Sequence, residues 1–243
     1  MGEERVTDNN DAKASLETVS DAVFRRLRQD IILGILPPGS KIKLEKARER
    51  YSISISSLRE ILSRLSAENL VLAEGQRGFE VSPVSQRELE ELADLRILLE
   101  CRAIELSFAA GDLEWEGTIV AAHHRLKTVE QKLLAGDTLQ TAEWVRFDWE
   151  FHLAIVAACN SAVLVQSLSS VFDRFLRYHM LAKNFRGQGV VDDHKRLFEY
   201  ALEKNVDAAK DMIKRHVLNG ANHILATPMF IQESPEVDQA RRG

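Results

Sequence analysis

The sequence predicts a mainly α protein in which an N-terminal winged helix-turn-helix is followed by an all-helical antiparallel bundle. Three observations predict it. Apolar residues recur at helical spacing over most of the 243 residues. Two short helical segments joined by a tight turn stand just before two short apolar runs that flank Glu74-Gly75-Gln76-Arg77. Beyond Pro83 every periodic segment is helical, and the breaks fall at Gly111, Gly136, Asn160 and Gly187/Gly189.

Taken in order, Val23, Phe24, Leu27 and Ile31 form one stripe, Ser20 can cap its start, and Gly34 ends it ahead of Pro37-Pro38-Gly39. A short helix is predicted around Leu44–Tyr51, a turn at Ser52-Ile53-Ser54, and a second helix from Ile55 to Asn69 with Leu58, Leu62 and Leu65 on one side. Leu70–Ala73 and Gly78–Ser82 read as the strands of a hairpin. The later helices are predicted at about 86–110, 113–135, 138–159, 161–185, 190–204 and 206–226, and their short connections favour an antiparallel bundle. The domains expected are therefore a tail at 1–19, the winged helix at 20–84, the bundle at 86–226 and a tail at 227–243.

Charge is distributed unevenly. Residues 20–84 hold 11 Lys and Arg against 8 Asp and Glu, while the first 19 residues carry −3 and residues 85–243 carry −5. A basic module joined to an acidic remainder suits a chain that docks one end on phosphates. Cys101 and Cys159 lie in apolar helical runs, which gives no disulfide framework and points to a reducing compartment. No apolar stretch approaches the roughly 20 residues of a membrane span, so a cytoplasmic protein without a membrane partner is expected.

The second helix of a helix-turn-helix enters the major groove, where short polar side chains at its start reach base edges and cations grip phosphates. Ser54, Ser56, Ser57 and Arg59 stand at that start, Lys46 lies in the helix before it, and Arg77 at the hairpin tip. Taken alone, Ser54 reads equally well as a helix cap and the basic residues as a solvated face. As an ordered set, LRQDIILGILPPGSKI, RYSISISSLREILSRLSAENLV and GQRGFEV resemble the DNA-binding domain of GntR-type repressors over residues 20–84. Ile55 stands where that family usually has Arg, and Ser56-Ser57 where it has Thr-Pro, whereas Arg59 and Glu60 match. The resemblance implies double-stranded operator DNA as a partner, with an altered operator sequence.

In the second half, Asp148 and His152 share one helix face with Val145, Ile155 and Cys159. His194 shares a stripe with Leu197, Phe198 and Ala201, and His216 shares one with Met212, Ile213 and Gly220. Polar groups in apolar stripes need partners, because each buried and unsatisfied one costs on the order of 1–3 kcal/mol. Each histidine alone reads as a hydrogen-bonded core residue, but together with Asp148 they suit a divalent ion such as Zn, Ni or Mn. His123, His124, His179 and His223 read as surface or pocket-lining.

The runs LRILLECRAIEL, FDWEFHLAIVAACNS and DDHKRLFEYALEKNVDAAKDMIKRHV resemble the FCD ligand-binding domain of the FadR-like branch of GntR regulators, over residues 86–226. That resemblance implies a metal held by Asp148, His152, His194 and His216, a small carboxylate effector, and a homodimer on a palindromic site. Arg96 and Arg174 are candidates for the effector's carboxylate. Arg96 with Glu100 also reads as an intrahelical ion pair on an exposed face.

Two other functions remain to be weighed. A metallohydrolase needs a general base beside the metal, but Glu150 lies two residues from each of Asp148 and His152 and so points off their face; no enzyme is expected. A regulator for which the metal is itself the signal uses the same residues, and metal affinity against a chelator series would separate it from an acid-responsive one.

Overall fold

Helix α1 (Val19–Ile32) starts ahead of Ser20 because Thr18, and not Ser20, caps it: the Asp21 N–H donates to the Thr18 hydroxyl at 3.1 Å. It ends at Gly34, whose positive φ of 70° returns its N–H to the Ile31 carbonyl. The computed structural model describes residues 18–73, 75, 78–182 and 185–231. The chain divides into two units, one formed by residues up to Gln29 with Lys41–Glu80, the other by Asp30–Ser40 with the chain from Val81.

In the first unit, α2 (Leu44–Tyr51) and α3 (Ile55–Ala67) enclose a turn opened by Ser52 in the left-handed region, with its N–H on the Arg48 carbonyl. Leu27, Leu58, Ile61, Leu62 and Leu65 are wholly buried, each stabilising the unit by about 1.5–3 kcal/mol. Arg28–Glu68 at 2.7 Å and Arg64–Asp21 at 3.3 Å tie α1 to the end of α3. The sheet holds β1 (Lys41–Ile42), β2 (Val71–Ala73) and β3 (Phe79–Val81) in the order β1-β3-β2. Strand β1, which sequence periodicity does not reveal, pairs antiparallel with β3, Lys41 opposite Glu80 and Ile42 opposite Phe79. Arg77 lies outside the described residues.

The second unit is the helical bundle: α4 (Gln86–Ala110), α5 (Leu113–Leu134), α6 (Thr141–Val156), α7 (Ala162–Ala182), α8 (Gln188–Leu202), α9 (Val206–Leu225) and the short α10 (Pro228–Ile231). Helical structure thus continues to Ile231, beyond the end expected at 226. Helix α4 packs against α6, α7 and α9, while α5 packs against α6 and α8. This central position buries charged Arg96 and Glu100 along with Leu89, Ala103 and Ile104. The end of α6 is fixed from two sides, since the Ser107 hydroxyl and the Trp115 indole N–H both donate to the Ile155 carbonyl, at 2.7 and 3.2 Å. No described helix is long and apolar enough to cross a membrane.

Candidate functional site

Helix α6 carries Asp148 and His152 one turn apart, α8 brings His194 and α9 brings His216, all four buried. One ligand-type atom from each lies within 4.8 Å of the others. Opposite ligands around an ion with bonds of 2.0–2.2 Å stand about 4–4.4 Å apart, so small side-chain rotations close the set on a cation. His194 Nε2 is 3.0 Å and His152 Nε2 4.0 Å from Asp148 Oδ1, and among the described residues His194 Nε2 makes no hydrogen bond of acceptable geometry.

Behind the cluster stand two carboxylates, Glu130, which the sequence does not single out, and Glu100, which it suggests only as a partner of Arg96. Glu130 on α5 meets His194 Nδ1 at 2.6 Å, and Glu100 on α4 meets His152 Nδ1. Both are fully buried. A carboxylate on Nδ1 orients the ring, makes it more basic and leaves Nε2 to face inward, the arrangement that accompanies histidine ligation of metals. Their signal is faint but present: Glu130 interrupts the stripe of Leu126, Val129 and Leu133, and Glu100 that of Ala103 and Ile104.

The charges respond to one another. Burial opposes a proton on His194, but Asp148 and Glu130 outweigh it and push the imidazole up to about 9. Burial also opposes ionising Asp148, yet His194 and His152 hold its carboxyl well below the usual range. Burial and those two imidazoles depress His216 well below its ordinary value. The cluster therefore favours a proton on His194 and opposes one on His216.

A cavity of about 10 Å³, the size of one water, opens on the cluster. Asp148 and His216 form its polar floor, and Phe172 and Phe175 from α7 its apolar side. Arg96 and Arg186 bring two guanidinium groups to it, and Trp144 an indole N–H that makes no hydrogen bond among the described residues. Arg96 does pair with Glu100, at 3.0 Å, but the pair is buried, contrary to the exposed face expected from its spacing, because α7 and α9 cover α4 there. Arg96 also lies over the Phe172 ring at 4.4 Å. The structure does not bring Arg174 to this cavity; it pairs with Glu88 at 2.5 Å. Arg186, overlooked in the sequence, stands beside the cavity instead, 3.3 Å from His216 Nδ1 and 3.4 Å from Asp193. Of the four remaining histidines, His179 lines this cavity and is depressed to about 3 by burial, and His123 stacks on Phe198. Glu150 pairs with Arg125 and Arg146 away from the cluster.

On the first unit, Ser54 caps α3 by accepting from the Ser57 N–H at 3.2 Å, and its hydroxyl lies 2.9 Å from those of Ser56 and Ser57. The capping reading of Ser54 therefore holds, while Ser56, Arg59 and Lys46 are exposed at and before the start of α3. Neither Arg59 nor Lys46 forms an ion pair among the described residues, so both cations are available to phosphate or base.

A winged helix-turn-helix joined to a bundle that holds a buried polar cluster is the arrangement of a DNA-binding transcription regulator. The family model for bacterial regulatory proteins of the gntR family matches residues 19–81, and the FCD domain model matches residues 91–219. The chain belongs to the GntR family, in the branch that carries an FCD domain. It is 34% identical over 206 residues to the uncharacterized HTH-type transcriptional regulator BphR of Paraburkholderia xenovorans, covering 84% of each chain. It is 32% identical to the HTH-type transcriptional repressor GlaR of Escherichia coli, over 80% of this chain and 90% of GlaR. Among solved structures, Escherichia coli McbR/YncC shares the fold with a TM-score of 0.71 at 19% identity, over 85% of this chain and 97% of that one.

Proposed function

We propose that the protein is a cytoplasmic, homodimeric repressor that binds operator DNA on the nucleoid and is released from it by a small organic acid bound beside a metal. Asp148, His152, His194 and His216 hold the ion, which is Zn, Ni or Mn; when bound it offers a Lewis-acid position to a carboxylate oxygen. The observation that carries this reading is the buried quartet with Glu130 and Glu100 behind two of its imidazoles. Arg96, Arg186 and the unpartnered Trp144 N–H supply donors for an anion. A cavity of one water's size must widen to admit the acid, so binding and a shift of its walls go together.

Helix α7 is suited to pass on that shift. Its Phe172, Phe175 and His179 line the cavity, and its Arg177 and Tyr178 hold the chain that follows β3. Arg177 donates to the Ser82 carbonyl, and the Tyr178 hydroxyl accepts from the Ser85 N–H at 3.1 Å and donates to Glu88 at 2.6 Å. Ser54, Ser56, Ser57, Arg59, Lys46 and Arg77 form the DNA-reading set, and exposed Leu95 and Leu98 on α4 offer an apolar strip to a second copy. Repression is the sign favoured by GlaR, itself a repressor.

Elemental analysis of the wild type beside His152→Ala/His216→Ala, followed by thermal-shift screening of mono- and dicarboxylates on both, tests the site. About one metal per chain in the wild type alone, with acid-induced stabilisation confined to the loaded protein, is expected. An equal absence of metal from both proteins overturns the metal reading. Operator binding that tightens with a stabilising acid overturns derepression.

A further inference from the structure

A second cavity, of about 180 Å³, lies between α5 and α8 and is lined in part by Glu130, the partner of His194. It is much larger than the cavity beside His216 and has room for a small organic ligand. One wall is apolar: Val191, Phe198 and the ring of His123, which stacks on Phe198 at 4.2 Å and 12°. Burial depresses His123 to about 4, so this ring is neutral at ordinary pH. Both acidic residues at the cavity are already engaged, Glu199 by Lys195 at 3.8 Å and Glu130 by His194 at 2.6 Å. Lys127 is not: it lines the cavity, its cation is exposed, and it forms no ion pair or hydrogen bond among the described residues.

One uncompensated ammonium opposite an apolar, partly aromatic wall is the complement of a small monoanion with an apolar body. We infer that the α5–α8 cavity is a second ligand site, separate from the metal-side cavity, that takes a small apolar monocarboxylate with its carboxylate on Lys127. Glu130 connects the two sites. It lines this cavity and is also the carboxylate that orients His194, so a ligand that shifts it alters the hold on His194. Occupancy of the outer site therefore changes metal affinity, and the metal changes ligand affinity by the same factor. This coupling rests on the metal reading proposed above; the binding itself does not.

The test uses full-length protein and sodium benzoate as the probe, titrated calorimetrically into wild type, Lys127→Ala and Arg96→Ala/Arg186→Ala, with and without chelator. Lys127 is exposed, so its replacement leaves the fold intact. Saturable binding that survives Arg96→Ala/Arg186→Ala, survives the chelator, and weakens at least tenfold in Lys127→Ala is expected. Binding lost in the double arginine variant and unaffected in Lys127→Ala overturns the site by assigning benzoate to the metal-side cavity; no saturable binding overturns it as well. For the coupling, benzoate is expected to change the metal dissociation constant at least threefold in the wild type and not in Lys127→Ala. Benzoate bound at Lys127 with metal affinity unmoved overturns the link through Glu130, and a protein that takes no metal in any form fails the metal reading while leaving the calorimetric result to stand.

Discussion

The winged unit and the bundle use charged residues in opposite ways. In the first, Lys46 and Arg59 are exposed and form no ion pair among the described residues, a state that water tolerates at little cost. In the second, Arg96, Glu100, Glu130, Asp148 and Arg177 are all less than a tenth exposed, and each is tied to at least one partner. A buried charge that loses its partner costs several kcal/mol, whereas a surface cation that loses its ligand merely returns to water. Lys46 and Arg59 thus act independently, whereas the buried charges of the bundle act collectively.

The sharpest break in that comparison would come from Glu100→Leu, which strips the partner from both Arg96 and His152. Chemical denaturation is expected to show a loss of about 3–5 kcal/mol; a loss under 1 kcal/mol would mean that the network is not collective. Arg59→Ala should do the reverse, lowering operator affinity about a hundredfold in a salt-controlled binding assay while leaving the melting temperature unchanged. Acid–base behaviour sharpens the contrast further. Because His194 is raised from 6.5 to about 9, its proton stabilises the metal-stripped fold fully below pH 6.5, and this contribution is lost as the pH rises through 9. Stability of the stripped protein should therefore fall by about 3 kcal/mol between those values, and a flat profile would contradict the placement of Asp148 and Glu130 on His194. Glu130→Gln keeps a hydrogen-bond acceptor and removes its charge, so metal affinity measured by chelator competition should drop about tenfold. The smallest effect expected is that of Ser54→Ala, about 1 kcal/mol of stability from loss of the α3 cap.

Much of this was legible in the chain itself. Gly111, Gly136 and Asn160 punctuate the helices where the structure breaks them, and Asp148, His152, His194 and His216 stand out because a polar residue in an apolar stripe is a local anomaly. What eludes sequence reading depends on contacts between elements. The spacing of Arg96 and Glu100 is the same for a solvated pair and a buried one, and only the packing of α7 and α9 on α4 decides between them. Glu100, Glu130 and Arg186 reach the site from segments of their own, with no spacing to link them to the histidines. Strand β1 is two residues long, too short for any alternation to declare itself.

The grip of Arg177 and Tyr178 on Ser82, Ser85 and Glu88 has a practical consequence for anyone building chimeric regulators from this bundle. Ser82 and Ser85 lie in the connection between β3 and α4 and Glu88 in the first turn of α4, and their hydrogen bonds belong to the bundle unit. A foreign DNA-binding head should be spliced on before Ser82; a junction placed a few residues later would discard these anchor points.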